Sequence, residues 1–181
     1  IQYQHKDAWT WEHQALVRAR AVAGDASLAK KFAAERSQLL ARERDQHQLR
    51  DAVKSMRRKM SDNLLPLGAE KGESPFFHLK QGCGGIVDIE FMVQYTVLAW
   101  AHKYPSLTTY SDNIRILETM EEYQLLDGES VHGLMDAYKA YRSIAHRLSL
   151  QQQLNEISAD NFVQERSMVR KVWNLFFDES S

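Results

Sequence analysis

Apolar residues recur along the first third of the chain at the three- and four-residue spacing of amphipathic helices. This spacing predicts helices over residues 8–23, 26–41 and 45–60. Gly24 is suited to end the first helix, because glycine readily adopts the left-handed conformation that follows a helix C-terminus. Asp25 can cap the second helix, since its carboxylate accepts hydrogen bonds from the first backbone N–H groups of a helix.

A second helical region follows, and its first helix, over residues 86–103, is apolar on nearly every side. Such a helix is expected to be buried among the others. Ser111 and Ser158 are the predicted N-caps of two later helices. The pattern predicts three helices after the buried one: residues 111–126, 130–152 and 159–177.

The two helical regions are separated by residues 62–85, which contain most of the prolines and glycines of the chain. Within this loop, residues 76–79 are predicted to form a short extended piece. The sequence therefore predicts an all-α fold, a bundle of about seven helices with one long Gly- and Pro-containing loop between helices three and four. We expect residues 1–181 to form a single helical domain, with N-terminal helices over 1–61 and central and C-terminal helices over 86–178.

Composition narrows the possible functions. The 181 residues carry a net charge of −1, which gives no general attraction to nucleic acid or to anionic membranes. The single cysteine, Cys83, excludes an internal disulfide framework and is typical of a reducing compartment. No apolar run approaches the roughly 20 residues of a membrane span, so we predict a cytoplasmic protein without nucleic-acid or membrane partners. Because the chain begins at Ile1 rather than methionine, we expect it to be a piece of a longer protein.

The sharpest local motif is a glycine-rich turn that leads directly into the apolar helix. It reads Lys80-Gln81-Gly82-Cys83-Gly84-Gly85-Ile86-Val87-Asp88-Ile89-Glu90-Phe91. The first N–H groups of a helix have no partner within it, so the backbone at Gly84 and Gly85, with the Lys80 ammonium, could bind a phosphate. In the alternative interpretation, the two glycines only allow the chain to turn tightly. The sequence leaves both interpretations open.

Asp88 and Glu90 lie in the first turn of this helix, where carboxylates interact favourably with the helix dipole. Two positions apart, they point to roughly opposite faces and are not expected to share a metal ion. We interpret Asp88 as a capping or hydrogen-bonding residue, and Glu90 as the partner of Gln94 or of a distant arginine. The run Arg57-Arg58-Lys59 is predicted to end the third helix, where cations are favourable. No metal site and no catalytic residue is predicted in this chain.

The first helix carries a second set of candidate residues, in which polar side chains alternate with tryptophans. The set consists of Trp11, Glu12, His13 and Arg20. In one interpretation the aromatic side chains pack and the arginines form salt bridges. In the other, these residues face a neighbouring domain or its ligand, and the spacing does not decide between the two.

Three segments, in this order, resemble the glutamine synthetase adenylyltransferases. They are Trp9-Thr10-Trp11-Glu12-His13-Gln14-Ala15-Leu16-Val17-Arg18-Ala19-Arg20, Gly84-Gly85-x-x-Asp88-Ile89-Glu90-Phe91-x-x-Gln94 and Ser111-Asp112-Asn113-x-Arg115-Ile116-Leu117. The likeness spans residues 8–173. An aspartate before Ile-Glu-Phe, rather than a glutamate, resembles the C-terminal half of that two-headed enzyme, which attaches AMP to a tyrosine of glutamine synthetase.

The resemblance implies that this chain is the helical domain that follows a nucleotidyltransferase domain. In the family, that upstream domain carries a Gly-Ser and an Asp-x-Asp that hold metal-bound ATP. Neither motif occurs here, so ATP and Mg2+ are expected to serve the whole enzyme, and the fragment is expected to need no cofactor and to be inactive alone. The resemblance places nine residues at the nucleotide or at the faces between domains: Lys80, Gly84, Gly85, Asp88, Glu90, Trp11, Glu12, His13 and Arg20.

The partners that the resemblance implies are the upstream nucleotidyltransferase domain, glutamine synthetase and a PII-type signalling protein, all in the bacterial cytoplasm. The alternative function is a self-standing helical domain that binds a signalling partner through one helical face.

Overall fold

The computed structural model describes residue 3, residues 8–64 and residues 74–178. Seven α-helices lie within these parts, and we number them in chain order: α1 Thr10–Val17, α2 Ala26–Leu40, α3 Gln46–Leu64, α4 Ile86–Trp100, α5 Asn113–Glu122, α6 Gly128–Leu150 and α7 Val163–Phe177. A 3-10 helix covers Pro105–Thr108, and two short strands, β1 and β2, cover Phe76–His78 and Glu156–Ser158. The predicted all-α class is confirmed. Pro66, Gly68 and Gly72 of the predicted loop lie outside the described residues.

The chain divides into two compact units, each assembled from two separate segments. Unit 1 consists of residues 1–53 and 93–125, and unit 2 of residues 54–92 and 126–181. Helices α3 and α4 each contribute residues to both units, because the boundaries fall inside them.

Burial along α4 follows its apolar composition. Of residues 86–99, all except Glu90 are buried. Fully burying one large aliphatic side chain stabilises a fold by about 1.5–3 kcal/mol, so this helix contributes strongly to the cores of both units. The prediction of a buried helix is confirmed. No helix in the described parts is long and apolar enough to cross a membrane.

The two strands of unit 2 pair with each other in antiparallel orientation, with Phe77 opposite Ile157. The predicted extended piece at residues 76–79 is thus confirmed over the three residues of β1. Strand β2 was not predicted, because three residues are too few to show an alternating pattern. The Phe77 ring meets the ring of Tyr141 on α6 edge-on, with 6.0 Å between centroids, which connects the strands to the helical core.

The first helix ends at Val17, well before the predicted end at Ala23. The buried Arg36 of α2 explains the difference. Its Nε donates to Leu16 O at 2.8 Å, and one of its terminal nitrogens donates to Val17 O at 2.6 Å. These contacts satisfy carbonyl groups that a helix end leaves without partners. Gly24 has the predicted positive φ, at 110°, but it lies in the turn after the helix has ended.

Helix starts were predicted less accurately than the helices themselves. Asp25 caps α2 as expected, accepting from the backbone N–H of Ser27 at 2.8 Å. The cap of α5 is Asp112 and not Ser111, because the Asp112 carboxylate accepts from the backbone N–H of Arg115. For α6 the cap is Asp127, so the helix begins two residues before the predicted start at residue 130.

The last helix begins at Val163 rather than at the predicted residue 159. Ser158 belongs to β2, and the backbone N–H of Ala159 donates to Pro75 O at 2.9 Å, which continues the contact between the two chain segments. Phe162 then adopts a left-handed conformation with φ of 56° immediately before the helix. The predicted capping role of Ser158 is therefore wrong.

Candidate functional site

In the glycine-rich turn, the backbone N–H groups that could bind a phosphate already donate hydrogen bonds within the protein. Five pairings define it: Gly82 N–H to His78 O at 2.7 Å, Gly84 N–H to Asp88 Oδ2 at 2.6 Å, Gly85 N–H to Gly82 O at 2.8 Å, Ile86 N–H to Leu79 O at 3.0 Å and Val87 N–H to Lys80 O at 3.1 Å. The N–H groups of Lys80 and Gln81 donate to His78 Nδ1, at 3.2 and 3.0 Å. The expectation of free donors at this helix start is therefore wrong.

Close packing explains why glycine occupies two of these positions. Gly84 has φ of 82°, and a Cβ added to it would lie 2.6 Å from the carbonyl oxygen of Arg166 on α7. A Cβ on Gly85 would lie 2.7 Å from Leu79 O. Both distances are shorter than a carbon and an oxygen tolerate. The structure thus supports the interpretation in which these glycines permit a tight turn.

Asp88 lies at the centre of this turn and is almost completely buried, with 5% of its surface exposed. Arg57 Nε on α3 donates to Asp88 Oδ1 at 2.5 Å, and the backbone of Gly84 donates to Oδ2. A terminal nitrogen of Arg57 donates to Gln81 O at 2.7 Å. We call Asp88, Arg57, Gly84 and Gln81 the Asp88 centre. The interpretation of Asp88 as a hydrogen-bonding residue is confirmed.

The electrostatics of this centre are those of a buried ion pair. Burial raises the pKa of Asp88, while the Arg57 charge and the N–H groups of Gly84 and Gly85 act in the opposite direction. Arg57 itself lies inside α3, which continues to Leu64, so the prediction that Arg57-Arg58-Lys59 ends the helix is wrong. The sequence showed three adjacent cations but gave no signal that the first one turns inward.

Glu90 lies two residues along α4 from Asp88 and is half-buried. The Tyr138 hydroxyl of α6 donates to Glu90 Oε1 at 3.4 Å. No group of three or more histidine, cysteine, aspartate or glutamate side chains in the described parts is arranged to hold a metal ion. The predicted pairing of Glu90 with Gln94 or a distant arginine remains a prediction.

Glu90 and Lys80 share a groove of about 330 Å³ in unit 2, beside the glycine turn. The opposite wall is formed by α6, which contributes Arg142, His146 and Ser149 at the spacing of one helix face. We call this the basic groove. Its basic residues come from distant parts of the chain, so Lys80 is the only one of them that the sequence predicted as a site residue. The i, i+4, i+7 spacing on α6 was the available signal for the rest.

The candidates on α1 belong to unit 1. Trp11 is about half exposed, as 48% of its surface is accessible, and the neighbouring Trp9 is 68% exposed, so the tryptophans do not pack into the core. The Glu12 carboxylate accepts from the backbone N–H of Trp9 at 2.8 Å, which gives it a role at the helix start. His13 lines a pocket of about 440 Å³ together with residues 42–45.

Arg20 is exposed and lines a second pocket of unit 1, of about 360 Å³, together with Phe32 and Arg36. Arg44, which sequence reasoning did not single out, donates to the carbonyl oxygens of Leu39 and Leu40 at 2.9 Å and so completes the end of α2. Burial lowers the pKa of Arg44 to about 10. Arg36 and Arg44 therefore both donate hydrogen bonds to carbonyl groups at the C-terminal ends of helices.

Two family models match the chain. The model described as GlnD PII-uridylyltransferase matches residues 54–159, which is more than half of the chain. The model described as Glutamate-ammonia ligase adenylyltransferase matches residues 1–35. The first match contains the Asp88 centre and the basic groove, and the second contains the candidates on α1.

Curated relatives are similar over nearly the whole chain. A protein of Nitrosococcus oceani named bifunctional glutamine synthetase adenylyltransferase/adenylyl-removing enzyme is 50% identical over 99% of the chain and 18% of its own length. Proteins of the same name from Pseudomonas aeruginosa and Acinetobacter baylyi are 49% and 47% identical, over 94% and 99% of the chain and 18% and 19% of their own lengths. The chain thus spans about a fifth of the length of the relatives it matches.

Proposed function

The chain belongs to the GlnD PII-uridylyltransferase family, whose model matches residues 54–159, and on this premise we propose that it is the helical domain of the adenylylating half of a glutamine synthetase adenylyltransferase. Identity of 47–50% to relatives with that enzyme name favours adenylyl over uridylyl transfer. The match of residues 1–35 to an adenylyltransferase model supports the same choice.

The proposed role is supported mainly by the hydrogen bonds that occupy both carboxylate oxygens of Asp88. Metal-assisted phosphoryl transfer needs carboxylates that converge on an ion with free oxygens. Here one Asp88 oxygen accepts from Arg57 and the other from Gly84. Glu90 lines the basic groove instead. We therefore assign to this domain the positioning of substrates, and to the upstream nucleotidyltransferase domain the transfer of AMP from ATP, with Mg2+, to a tyrosine of glutamine synthetase.

Residues that are exposed or half-buried are proposed to face the nucleotide or the neighbouring domain. In unit 2 these are Lys80 and Glu90, and in unit 1 Trp11, His13 and Arg20. Four other residues are proposed to act indirectly, because they stabilise the turn and the helix start next to the residues just named. They are Gly84, Gly85, Asp88 and Glu12. Glutamine synthetase and a PII-type signalling protein are the proposed partners, in the bacterial cytoplasm.

A transfer assay tests the proposed role. The chain is incubated with adenylyl-labelled ATP, Mg2+ and glutamine synthetase, and label on the synthetase is counted. The full-length Nitrosococcus oceani relative is the positive control. We expect label with the relative and only background with the chain alone. Label above background with the chain alone would refute the assignment of a non-catalytic role.

The exposed tryptophans of α1 favour a second candidate function, a self-standing domain that binds a signalling protein. Large exposed aromatic side chains are enriched at protein interfaces, and Trp9 and Trp11 are 68% and 48% exposed. The genomic sequence that encodes the segment before Ile1 discriminates between the candidates. A Gly-Ser followed by Asp-x-Asp within about 150 residues, the length of one domain, supports the adenylyltransferase.

A further inference from the structure

The basic groove combines cations from two separate elements of unit 2. Arg142 and His146 stand one turn apart on the same face of α6, with Ser149 one turn further. Lys80 reaches the groove from the turn after β1, a segment that is fixed by the backbone hydrogen bonds to His78. The basic side chains are therefore carried by backbone that is hydrogen-bonded within the protein.

The basic side chains of the groove have no partner among the residues that the structure describes. Within the described parts of the chain, the side chains of Lys80, Arg142 and His146 make no hydrogen bond and no ion pair. Glu90 is the single carboxylate of the groove, so the two fixed cations leave a local charge of +1 with neutral histidine. The chain as a whole carries −1. The positive charge is thus a property of this site and not of the overall surface.

The polar groups and the size of the groove fit a small phosphorylated ligand. A volume of about 330 Å³ lies at the lower end of small-molecule sites, which cover roughly 300–1,000 Å³. A guanidinium can bind two phosphate oxygens at once, and lysine adds a point charge. Asn155 also lines the groove, and its Oδ1 is buried without a hydrogen-bond partner in the described structure. Turned by 180°, that amide presents an N–H donor instead.

We propose that the basic groove binds the phosphate groups of a small polyphosphate, either free pyrophosphate or the phosphate tail of a nucleotide. Arg142 and Lys80 bind the phosphate oxygens, and His146 and Ser149 complete the site. The ligand is recognised by side chains and not by the backbone of the glycine turn, whose donors are engaged. The site includes α6 residues that are not among the nine that the family resemblance places at the nucleotide or between domains. It shares Lys80 and Glu90 with the proposed function, but its test measures binding alone.

Isothermal titration calorimetry of the chain with sodium pyrophosphate, at constant ionic strength, tests this site. We expect one binding event, weakened at least about tenfold by Arg142→Gln, because hydrogen bonds between charged groups are among the strongest in proteins. Arg147→Gln is the matched control. It removes the same charge five residues further along α6, at a position that does not line the groove, and we expect less than about a twofold change.

Lys80→Gln provides a second variant on another element, so the test does not depend on the stability of altered α6. Equal affinities for ATP and pyrophosphate would assign the site to a free polyphosphate, and tighter binding of ATP would assign it to a nucleotide. No binding at millimolar pyrophosphate, or equal weakening by Arg142→Gln and Arg147→Gln, would overturn the proposal. This experiment measures binding and not AMP transfer. The proposed function is therefore tested separately, by the transfer assay.

Discussion

The Asp88 centre and the basic groove both belong to unit 2 and both include residues of the glycine turn, yet their charged residues have different roles. In the centre, Asp88 and Arg57 are 5% and 7% exposed, and each holds the other. In the groove, Lys80 and Arg142 are exposed and have no partner in the described structure. The buried pair shapes the turn that presents Lys80, while the exposed cations remain available to a ligand.

The charged residues of one motif can therefore have two different roles, one in folding and one in ligand binding. A buried charge that is paired contributes to the uniqueness of the fold, and removing one partner leaves the other without compensation. An exposed charge contributes little to stability and can be replaced at little cost to folding. The motif Gly-Gly-x-x-Asp-Ile-Glu therefore contains a structural carboxylate at Asp88 and a groove-facing one at Glu90.

The largest expected effect is that of Asp88→Ala. Removing one member of a buried pair typically costs about 3–5 kcal/mol, more than the roughly 1 kcal/mol of a lost helix cap. The measurement is urea denaturation of the chain at neutral pH. Asp25→Ala is the control, because Asp25 is an exposed cap of α2. If Asp88→Ala cost no more than Asp25→Ala, the pair with Arg57 would not hold the centre together.

A smaller loss is expected from Gly84→Ala. A left-handed conformation costs a non-glycine residue about 1–2 kcal/mol, and crowding against Arg166 O adds about 1–3 kcal/mol. Gly24→Ala isolates the first contribution, since Gly24 has a positive φ and no atom within 4 Å of its added Cβ. Denaturation of both variants should show the greater loss for Gly84→Ala. Equal losses would mean that the turn can move away from α7.

His78 connects the two regions, and its effect depends on pH. Burial lowers the pKa of His78 below its ordinary value, and Glu156 opposes this shift while Lys80 adds to it. The unfolded chain therefore takes up a proton near pH 6.5 that the folded chain takes up only at lower pH, and stability falls as the pH decreases through this range.

His78→Asn removes this titration and keeps an oxygen that can accept the backbone N–H groups of Lys80 and Gln81. Thermal unfolding of the chain and of the variant, compared between pH 7.5 and pH 5.5, measures the difference. We expect the unmodified chain to lose more stability on acidification than the variant. Parallel losses would show that other groups account for the pH dependence.

The smallest effect on stability is expected for Lys80→Ala. The side chain is exposed and unpaired in the described structure, so the free energy of unfolding should change by less than about 0.5 kcal/mol. In a chimera in which this chain replaces the matching fifth of the Nitrosococcus oceani relative, the same change should lower AMP transfer severalfold. Unchanged transfer would leave Lys80 without a part in the proposed function.

Helical periodicity was sufficient to predict the seven described α-helices, because each helix must bury one apolar face. Their ends were harder to predict, because they depend on groups that are distant in sequence. Helix α1 ends early since Arg36 supplies donors to Leu16 and Val17 from another helix. A single sequence shows an arginine at position 36 but not the carbonyl groups that it will reach.

The candidate site was predicted in part for the same reason. The capping role of Asp88 follows from its place in the first turn of a helix, but its partner Arg57 lies 31 residues away and reads as an ordinary surface cation. The phosphate interpretation of the glycine turn assumed free N–H groups, which only the folded backbone could show to be engaged. The groove could not be predicted without knowing that α6 lies beside Lys80.

We propose that Asp88 positions the turn and does not take part in the transfer of AMP. Asp88→Asn in the same chimera tests it directly, since asparagine keeps one acceptor oxygen and loses the charge that a metal would require. AMP transfer to glutamine synthetase is measured at a temperature at which circular dichroism shows that the variant is folded. We expect a folded variant that retains transfer well above background. A folded variant with transfer no higher than background would contradict it and place Asp88 among the catalytic residues.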